Sequence, residues 1–416
     1  MSTTEAPVSR SGQVAKESPH RWPAAIRTLM IGTFLVRSLG FTYPFLPYRL
    51  EHLHLTTRTV SCVLAVFGGG WLLGSILCGW LADRIGHRAT LLAAMLAASA
   101  ALPLLAQAHS VPGLLAAAFT AGVVYDAPRP VFTAAIAVTF PEDRVRTSVN
   151  AWRNFAVNAG AAAAGTAGGL LAGPIGIPAL IWANAAACAL FALLVWYFMP
   201  PAQRDFDTNN RQPAGYRAAL VDPRLWLLLV TSLCALTCAA SLFSLMPMLM
   251  AEDGLAASDY GLTQTANAGA VLLLSPILNR WLVARADRPA PMTGLLAASS
   301  VVLGTTMGAA GFASTALGYS AAAALAVPGE VLAFGATADI LNRISPASAR
   351  GLYAGIWGTT LAVAVLIAPA LGGWALTHGG DRLAAATTFG VGLLGAVLSW
   401  PLARIVLRAR HERSAA

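Results

Sequence analysis

The sequence predicts an all-α membrane protein with 12 transmembrane helices in two pseudo-symmetric six-helix bundles. Three observations carry that prediction. The first is composition. Of 416 residues, 57% are hydrophobic and only 11% charged, whereas a soluble domain carries about 25% charged residues. So few polar groups cannot cover a water-facing surface; lipid is the solvent that fits. The second is the texture of the apolar runs. Val60–Cys78 and Ala89–Ala108 hold no charge. Runs of about twenty residues cross a bilayer as helices, whereas barrel strands alternate over about ten. In lipid every backbone group must be paired, and a helix does this within one segment. The third is an internal repeat. A shift of about 204 residues lays Asp83-Arg84 on Asp287-Arg288, Asp126 on Glu330 and Arg146 on Arg350, with Gly169 falling one residue from Gly372. Hydropathy would align any two sets of six spans; it would not align rare charges.

The elements follow in order. Residues 1–23 are a polar tail with Glu5 and Glu17, and no cleavable signal is expected there. The first bundle, 24–198, holds spans at 24–47, 59–80, 89–108, 112–140, 149–172 and 178–198. Short polar turns separate them, so neighbours run antiparallel. The stretch 199–223 is a polar linker holding Arg204, Asp205, Asp207, Arg211 and Arg217. The second bundle, 224–408, holds spans at 224–250, 260–283, 292–313, 316–342, 351–376 and 384–407, and the tail 409–416 closes the chain.

Loop arginines set the orientation. One set of loops holds Arg84, Arg88, Arg144, Arg146, Arg280, Arg285, Arg288, Arg343 and Arg350, with the linker and both tails. The other holds Arg49, Arg58 and Arg382 beside Glu51, Glu252, Asp253, Asp259 and Asp381. Basic residues stay on the cytoplasmic side. A multi-pass protein of the cell membrane is therefore expected, with both termini cytoplasmic. The net charge of +9 then reports topology, and no nucleic-acid partner is expected. Cys62, Cys78, Cys188, Cys234 and Cys238 all lie in apolar runs without zinc-type spacing. They read as small core residues, so no metal and no cofactor is expected. Nor is an enzyme: there is no phosphate-binding Gly-x-x-x-x-Gly-Lys-Ser/Thr loop and no metal-spaced histidine pair.

The stretch Gly79-Trp80-Leu81-Ala82-Asp83-Arg84-Ile85-Gly86-His87-Arg88 joins spans 2 and 3. It resembles the signature loop of the major facilitator superfamily, Gly-x-Leu-Ala-Asp-Arg-x-Gly-Arg/Lys-Arg/Lys, with His87 at one basic position. The resemblance implies the major facilitator fold from about residue 24 to 408. It also implies a cytoplasmic gate role for Gly79, Asp83, Arg84, Gly86 and Arg88, pairing across the two bundles. Within the family the chain is similar to the twelve-span drug:proton antiporter branch. Span 1 ends in Leu39-Gly40-Phe41-Thr42-Tyr43-Pro44-Phe45-Leu46-Pro47, similar to that branch's Gly…Pro-x-x-Pro ending. Tyr125-Asp126-Ala127-Pro128-Arg129-Pro130 is similar to the Phe-Asp-Pro-Pro-Arg stretch of H-type bacterial multidrug-resistance transporters. Gly160 and Gly165-Thr166-Ala167-Gly168-Gly169 are similar to the antiporter motif Gly-Pro-x-x-Gly-Gly, with Thr166 in the proline's place. Ala118 stands where many members carry a span-4 arginine. The activity implied is secondary active antiport: a proton enters while a hydrophobic small molecule, a drug or natural product, leaves. The alternative is an importer or facilitator of a small metabolite on the same fold.

Four charges fall near mid-span: Arg37, Asp126, Arg129 and Glu330. Each costs about 2.5–3.5 kcal/mol at the bilayer centre on insertion scales, so each should face a cavity or a partner. The family fold places spans 1, 4, 7 and 10 around the cavity, and Arg37, Asp126 and Glu330 lie on three of them. Asp126 and Glu330 are candidate proton carriers tuned by Arg129 and Arg37: a neighbouring arginine lowers a carboxylate's pKa and burial raises it. A static Asp126–Arg129 ion pair remains the competing reading. Phe41, Tyr43, Phe45 and Tyr125 are candidate substrate-pocket residues, because an apolar aromatic cavity suits hydrophobic or cationic ligands. The expected partners are a hydrophobic small molecule, the proton and the bilayer, around a monomer.

Overall fold

The computed structural model describes residues 22–125, 128–140, 143–200, 216–286, 288, 290–346 and 349–415. The tail 1–21, the linker stretch 201–215, Asp126 and Asp287 lie outside the described residues, which are almost wholly helical. Span 1 is two legs, α1 (Ala24–Ser38) and α2 (Thr42–His52). Span 2 is α3 (Thr57–Ile85) and span 3 is α4 (His87–Gln107). Span 4 is α5 (Val111–Tyr125) with α6 (Pro128–Thr139), span 5 is α7 (Asp143–Ile175), and span 6 is α8 (Ile177–Phe198). A short α9 (Tyr216–Val221) precedes span 7, which is again two legs, α10 (Pro223–Ala240) and α11 (Leu245–Glu252). Spans 8, 9 and 10 are α12 (Ala257–Ala286), α13 (Thr293–Ala309) and α14 (Ala316–Ile344).

The last helix, α15 (Arg350–Ala415), holds an apolar stretch of 56 residues, Leu352–Leu407. Straight, that stretch would run about 84 Å at 1.5 Å per residue, far more than a hydrocarbon core of about 30 Å. It folds back at Gly380, whose φ is 62°, a left-handed value that glycine takes without strain. Spans 11 and 12 are its two arms.

Both bundles break their first span at the same relative place. In span 1 the break falls at Leu39–Phe41, where a Cβ on Gly40 would stand 3.1 Å from the carbonyl oxygens of Val36 and Arg37. Pro44 then lies in the first turn of α2, where its missing N–H has no intrahelical partner to lose. In span 7 the break is a 3₁₀ turn at Ser241–Phe243. The sequence reading ran both as single spans; each outer leg carries the helix on to His52 and Glu252. The two outer legs pack on each other.

Further pairs of spans bring the bundles together on the face rich in acidic loops. Spans 5 and 8 meet through glycines: a Cβ on Gly169 would stand 2.9 Å from the Cα of Gly261. Thr166 and Thr265 share a hydrogen bond of 2.9 Å there. Spans 2 and 11 meet where a Cβ on Gly68 would stand 2.7 Å from the backbone of Leu366, and Ser61 lies against Gly373. Spans 1 and 8 join through Tyr260, whose ring centre is 5.6 Å from that of Phe45 and 5.8 Å from that of Tyr48. Spans 2 and 7 join where Thr57 donates to Glu252 at 3.0 Å. Towards the arginine-rich face the bundles part. Continuing the antiparallel register of spans 2 and 11 sets Gly79 opposite Gly355, yet a Cβ on Gly79, Gly355 or Gly358 would meet open space.

A third polar element anchors the second bundle. Asp222, buried at the start of α10, caps the backbone N–H of Arg224 at 2.9 Å. It also accepts from the Arg224 guanidinium at 2.9 Å and from the Tyr353 hydroxyl of span 11 at 2.8 Å. Burial alone pushes this carboxyl up; the bonds from Arg224 and Tyr353 more than offset it, leaving its pKa below the ordinary 3.8. Of the cysteines, Cys78, Cys188, Cys234 and Cys238 are buried as expected, but Cys62 is exposed: its position on α3 turns away from the neighbouring helices.

In a cysteine-free background, Thr166→Cys with Thr265→Cys should cross-link readily, and adding Gly261→Val should slow the reaction several-fold; unchanged rates would refute the glycine contact. Because the Asp222 pKa is depressed by folding, its stabilisation is present above pH 3.8 and lost as pH falls through the folded value. Thermal unfolding in detergent should show acid destabilisation that Asp222→Asn flattens. Tyr353→Phe should cost about 1.5–3 kcal/mol at neutral pH, the range for a hydrogen bond to a charged group.

Candidate functional site

Proximity to the break in span 1 defines the site. Arg37 ends α1 and is half-buried. Span 5 crosses it at Gly160, where a Cβ would stand 2.7 Å from the Arg37 Cβ; any larger side chain would push the two spans apart. Phe41 and Phe45, both fully buried, lie beyond the break with ring centres 6.5 Å apart. Phe41 packs on span 5 at Gly168, 3.0 Å from where its Cβ would be. Phe45 reaches Tyr260 of the other bundle, so these two candidates stand in the seam between the bundles.

Tyr43 points into a different cluster. Its ring centre is 5.0 Å from Phe67 of span 2, and Phe67 is 5.3 Å from Tyr125 at the end of α5. Tyr125 is in turn 6.1 Å from Trp71, and the Arg129 guanidinium lies 5.9 Å from the Trp71 ring centre. An aromatic chain thus runs from span 1 through span 2 to span 4 and ends on a cation. The rings are tilted or edge-on, the arrangements their quadrupoles favour. The Tyr43 hydroxyl is buried, with no hydrogen-bond partner among the described residues. Asp126, the acid expected beside Arg129, lies outside the described residues.

Glu330 stands on span 10 of the other bundle. Gly329 beside it seats the helix on span 9, with a Cβ there 2.9 Å from Leu303. One turn on, Phe334 meets Trp357 of span 11 edge-on at 6.0 Å, and Trp357 donates to Ser232 of span 7 at 3.2 Å. Leu317 and Leu325, strongly exposed, mark the outer side of α14; at 100° per residue Glu330 lies about 140° round from both. It makes no hydrogen bond or ion pair among the described residues.

The signature loop turns between spans 2 and 3 at Gly86, whose φ of 85° only glycine adopts freely. Asp83 is exposed at the end of α3. Arg84 lies over Trp80 of its own helix, 4.2 Å from the ring centre. Arg88 donates to the Trp196 carbonyl oxygen of span 6 at 2.7 Å. In the second bundle, Asp339 accepts from the Met292 backbone at 3.1 Å and pairs with Arg343 at 2.9 Å. Arg343 reaches on to the Arg288 carbonyl oxygen at 3.0 Å. Arg153 of span 5 lies over Phe132, 5.6 Å from the ring centre.

Sequence reasoning missed Tyr260, the cross-bundle ring, and its hydrogen-bonded neighbour Gln264. It also missed Ser232 and the Asp222–Arg224–Tyr353 trio. The contacts of Tyr260 with Phe45 and Tyr48, of Ser232 with Trp357 and of Asp222 with Tyr353 join residues far apart in the chain, so local spacing carries no sign of them.

No curated protein matches the sequence. Among solved structures the chain resembles a peptide transporter POT in complex with sulfate, at 14% identity and a TM-score of 0.74, covering 94% of this chain and 96% of that one. It also resembles a POT family transporter in complex with 5-aminolevulinic acid, at 14% identity and 0.74, covering 94% and 98%. A third is a POT family transporter in complex with a thioalcohol conjugated peptide, at 13% and 0.73, covering 91% and 95%. At such identities these show the shared fold alone. A family model described as Major Facilitator Superfamily matches residues 29–340. That match spans most of the chain and runs through both bundles, so the protein belongs to the Major Facilitator Superfamily of transporters.

Proposed function

We propose that this transporter exchanges protons for hydrophobic small molecules and exports the latter by alternating access. The observation that carries the reading is Glu330: a mid-span carboxylate turned from the outer side of its helix, with no partner among the described residues. An unpaired charge at that depth is costly, and binding a proton removes the cost. The same side chain can bind its proton when the cavity opens to one solution and lose it when water or a cation reaches it from the other. Arg129, held on the Trp71–Tyr125 cluster, supplies a cation in the opposite bundle. Asp126 is the second proton carrier of this reading.

The aromatic chain from Tyr43 to Trp71 supports an apolar ligand, since such a surface gives large contact area with few directional bonds. Phe41 and Phe45 would line the pocket once the acidic-face seam opens. The arginine-rich face is the cytoplasmic one on this reading, and the protein works as a monomer in the cell membrane. The register of spans 2 and 11 gives the other half of the cycle. Gly79 of the signature loop closes on Gly355 as Gly68 already lies on Leu366, and Asp83, Arg84 and Arg88 then exchange their present contacts for ones across the seam. One proton moving across 100 mV is worth about 2.3 kcal/mol, enough to drive a modest export gradient.

The test is pH-gradient-driven accumulation of a panel of fluorescent hydrophobic dyes in everted vesicles. The unmodified protein should accumulate dye when the vesicle interior is acid. Asp126→Asn and Glu330→Gln should each cut coupled uptake at least about tenfold, a loss of 1.4 kcal/mol or more in driving force, while folded protein stays in the membrane. Undiminished gradient-driven uptake in both variants contradicts the proton role. Uptake only in right-side-out vesicles favours import.

A further inference from the structure

Four arginine–tryptophan pairs surround the molecule at its arginine-rich face. In span 2 the Arg84 guanidinium lies 4.2 Å from the Trp80 ring centre; in span 8 Arg285 lies 3.5 Å from that of Trp281; in span 12 Arg404 lies 3.6 Å from that of Trp400. In each pair the arginine follows four residues after the tryptophan, which stacks the two side chains on one helix face. At the end of span 6 that fourth place is Pro200. There the arginine comes from the neighbouring helix: Arg88 donates to the Trp196 carbonyl oxygen at 2.7 Å and lies 5.4 Å from its ring centre. Spans 2 and 8 are equivalent in the two bundles, as are spans 6 and 12. Each bundle thus carries two pairs on equivalent spans, although Arg285 stands three residues short of Arg288, the repeat partner of Arg84.

Their exposure separates them from the seam. Trp80, Trp196, Trp281 and Trp400 are 50%, 60%, 38% and 62% exposed. Among the described residues Arg84, Arg285 and Arg404 make no ion pair or hydrogen bond. Depth is right as well. Spans 2, 8 and 12 run toward this face, so in those three pairs the arginine sits one turn, about 5.4 Å, nearer water than its tryptophan. Tryptophan prefers the glycerol level of a bilayer, and arginine reaches past it to the phosphate level. A ring beneath the guanidinium occupies its flat face and leaves its N–H edges free. Those edges fit phosphate oxygens two at a time. A plain topology signal needs loop arginines only; it does not call for a tryptophan one turn deeper, nor for the same pairing in both bundles.

We propose that these four pairs bind the phosphates of anionic phospholipids in the leaflet at the arginine-rich face, two headgroups to each bundle. The inference is independent of the transport reaction and of its direction. Arg84 belongs to the signature loop, so one lipid would sit on the gate itself.

Purified protein in nanodiscs of phosphatidylcholine is given equal mole fractions of dibrominated phosphatidylglycerol or dibrominated phosphatidylcholine, and tryptophan emission is recorded. Local enrichment of about fivefold per arginine is expected from a basic residue at an anionic surface, so the brominated phosphatidylglycerol should quench clearly more. The excess should fall to the share that the intact Arg88–Trp196 pair supports in Arg84→Gln/Arg285→Gln/Arg404→Gln, and shrink in high salt. Native mass spectrometry should show fewer retained phosphatidylglycerol molecules in that variant. Equal quenching by the two lipids in the unmodified protein overturns the proposal, as does an excess that the triple substitution leaves undiminished. The unmodified protein alone decides the first point, whether or not the variant folds.

Discussion

Backbone contact between the bundles, confined to one face, is the constraint on which the remaining structure depends. Gly169 against Gly261 and Gly68 against Leu366 bring helices closer than side chains would permit. In lipid there is no water to drive helices together; close packing of small residues and hydrogen bonds does that work. Thr166 with Thr265, and Thr57 with Glu252, supply the bonds. A seam built this way is tight.

From that seam the rest of the interior follows. The outer legs of spans 1 and 7 bend in at their breaks and fill the closed face with Phe45, Tyr48 and Tyr260. Below the breaks the same bends leave Tyr43, Tyr125, Trp71 and Arg129 in one continuous cluster, with Glu330 on the other bundle.

Much of this was legible in the sequence, and the reasons are physical. Long uncharged runs gave the helices, because lipid leaves no other pairing for the backbone. The twelve-span fold followed, including the reversal between spans 11 and 12 at Gly380. The glycines of span 5 were visible as a pattern; that they meet Gly261 of span 8 was not, since contact between bundles leaves no local period. The breaks in spans 1 and 7 stayed hidden because hydropathy is continuous across them. Arg84 reads as a gate residue through the resemblance alone, and here it lies on Trp80. Asp126 and Asp287, two of the residues that revealed the repeat, lie outside the described residues. Their equivalents Glu330 and Asp83 therefore carry the comparison.

The most direct test is a pair of distances on spans 2 and 11. Spin labels at Gly79 and Gly355 report the arginine-rich face, and labels at Arg58 and His378 report the acidic one; all four positions are open or exposed. Across a pH series in nanodiscs, pulsed dipolar spectroscopy should show the Gly79–Gly355 distance shortening as the Arg58–His378 distance lengthens. Distances that rise and fall together, or a Gly79–Gly355 separation that never closes, would contradict two bundles rocking about a central site.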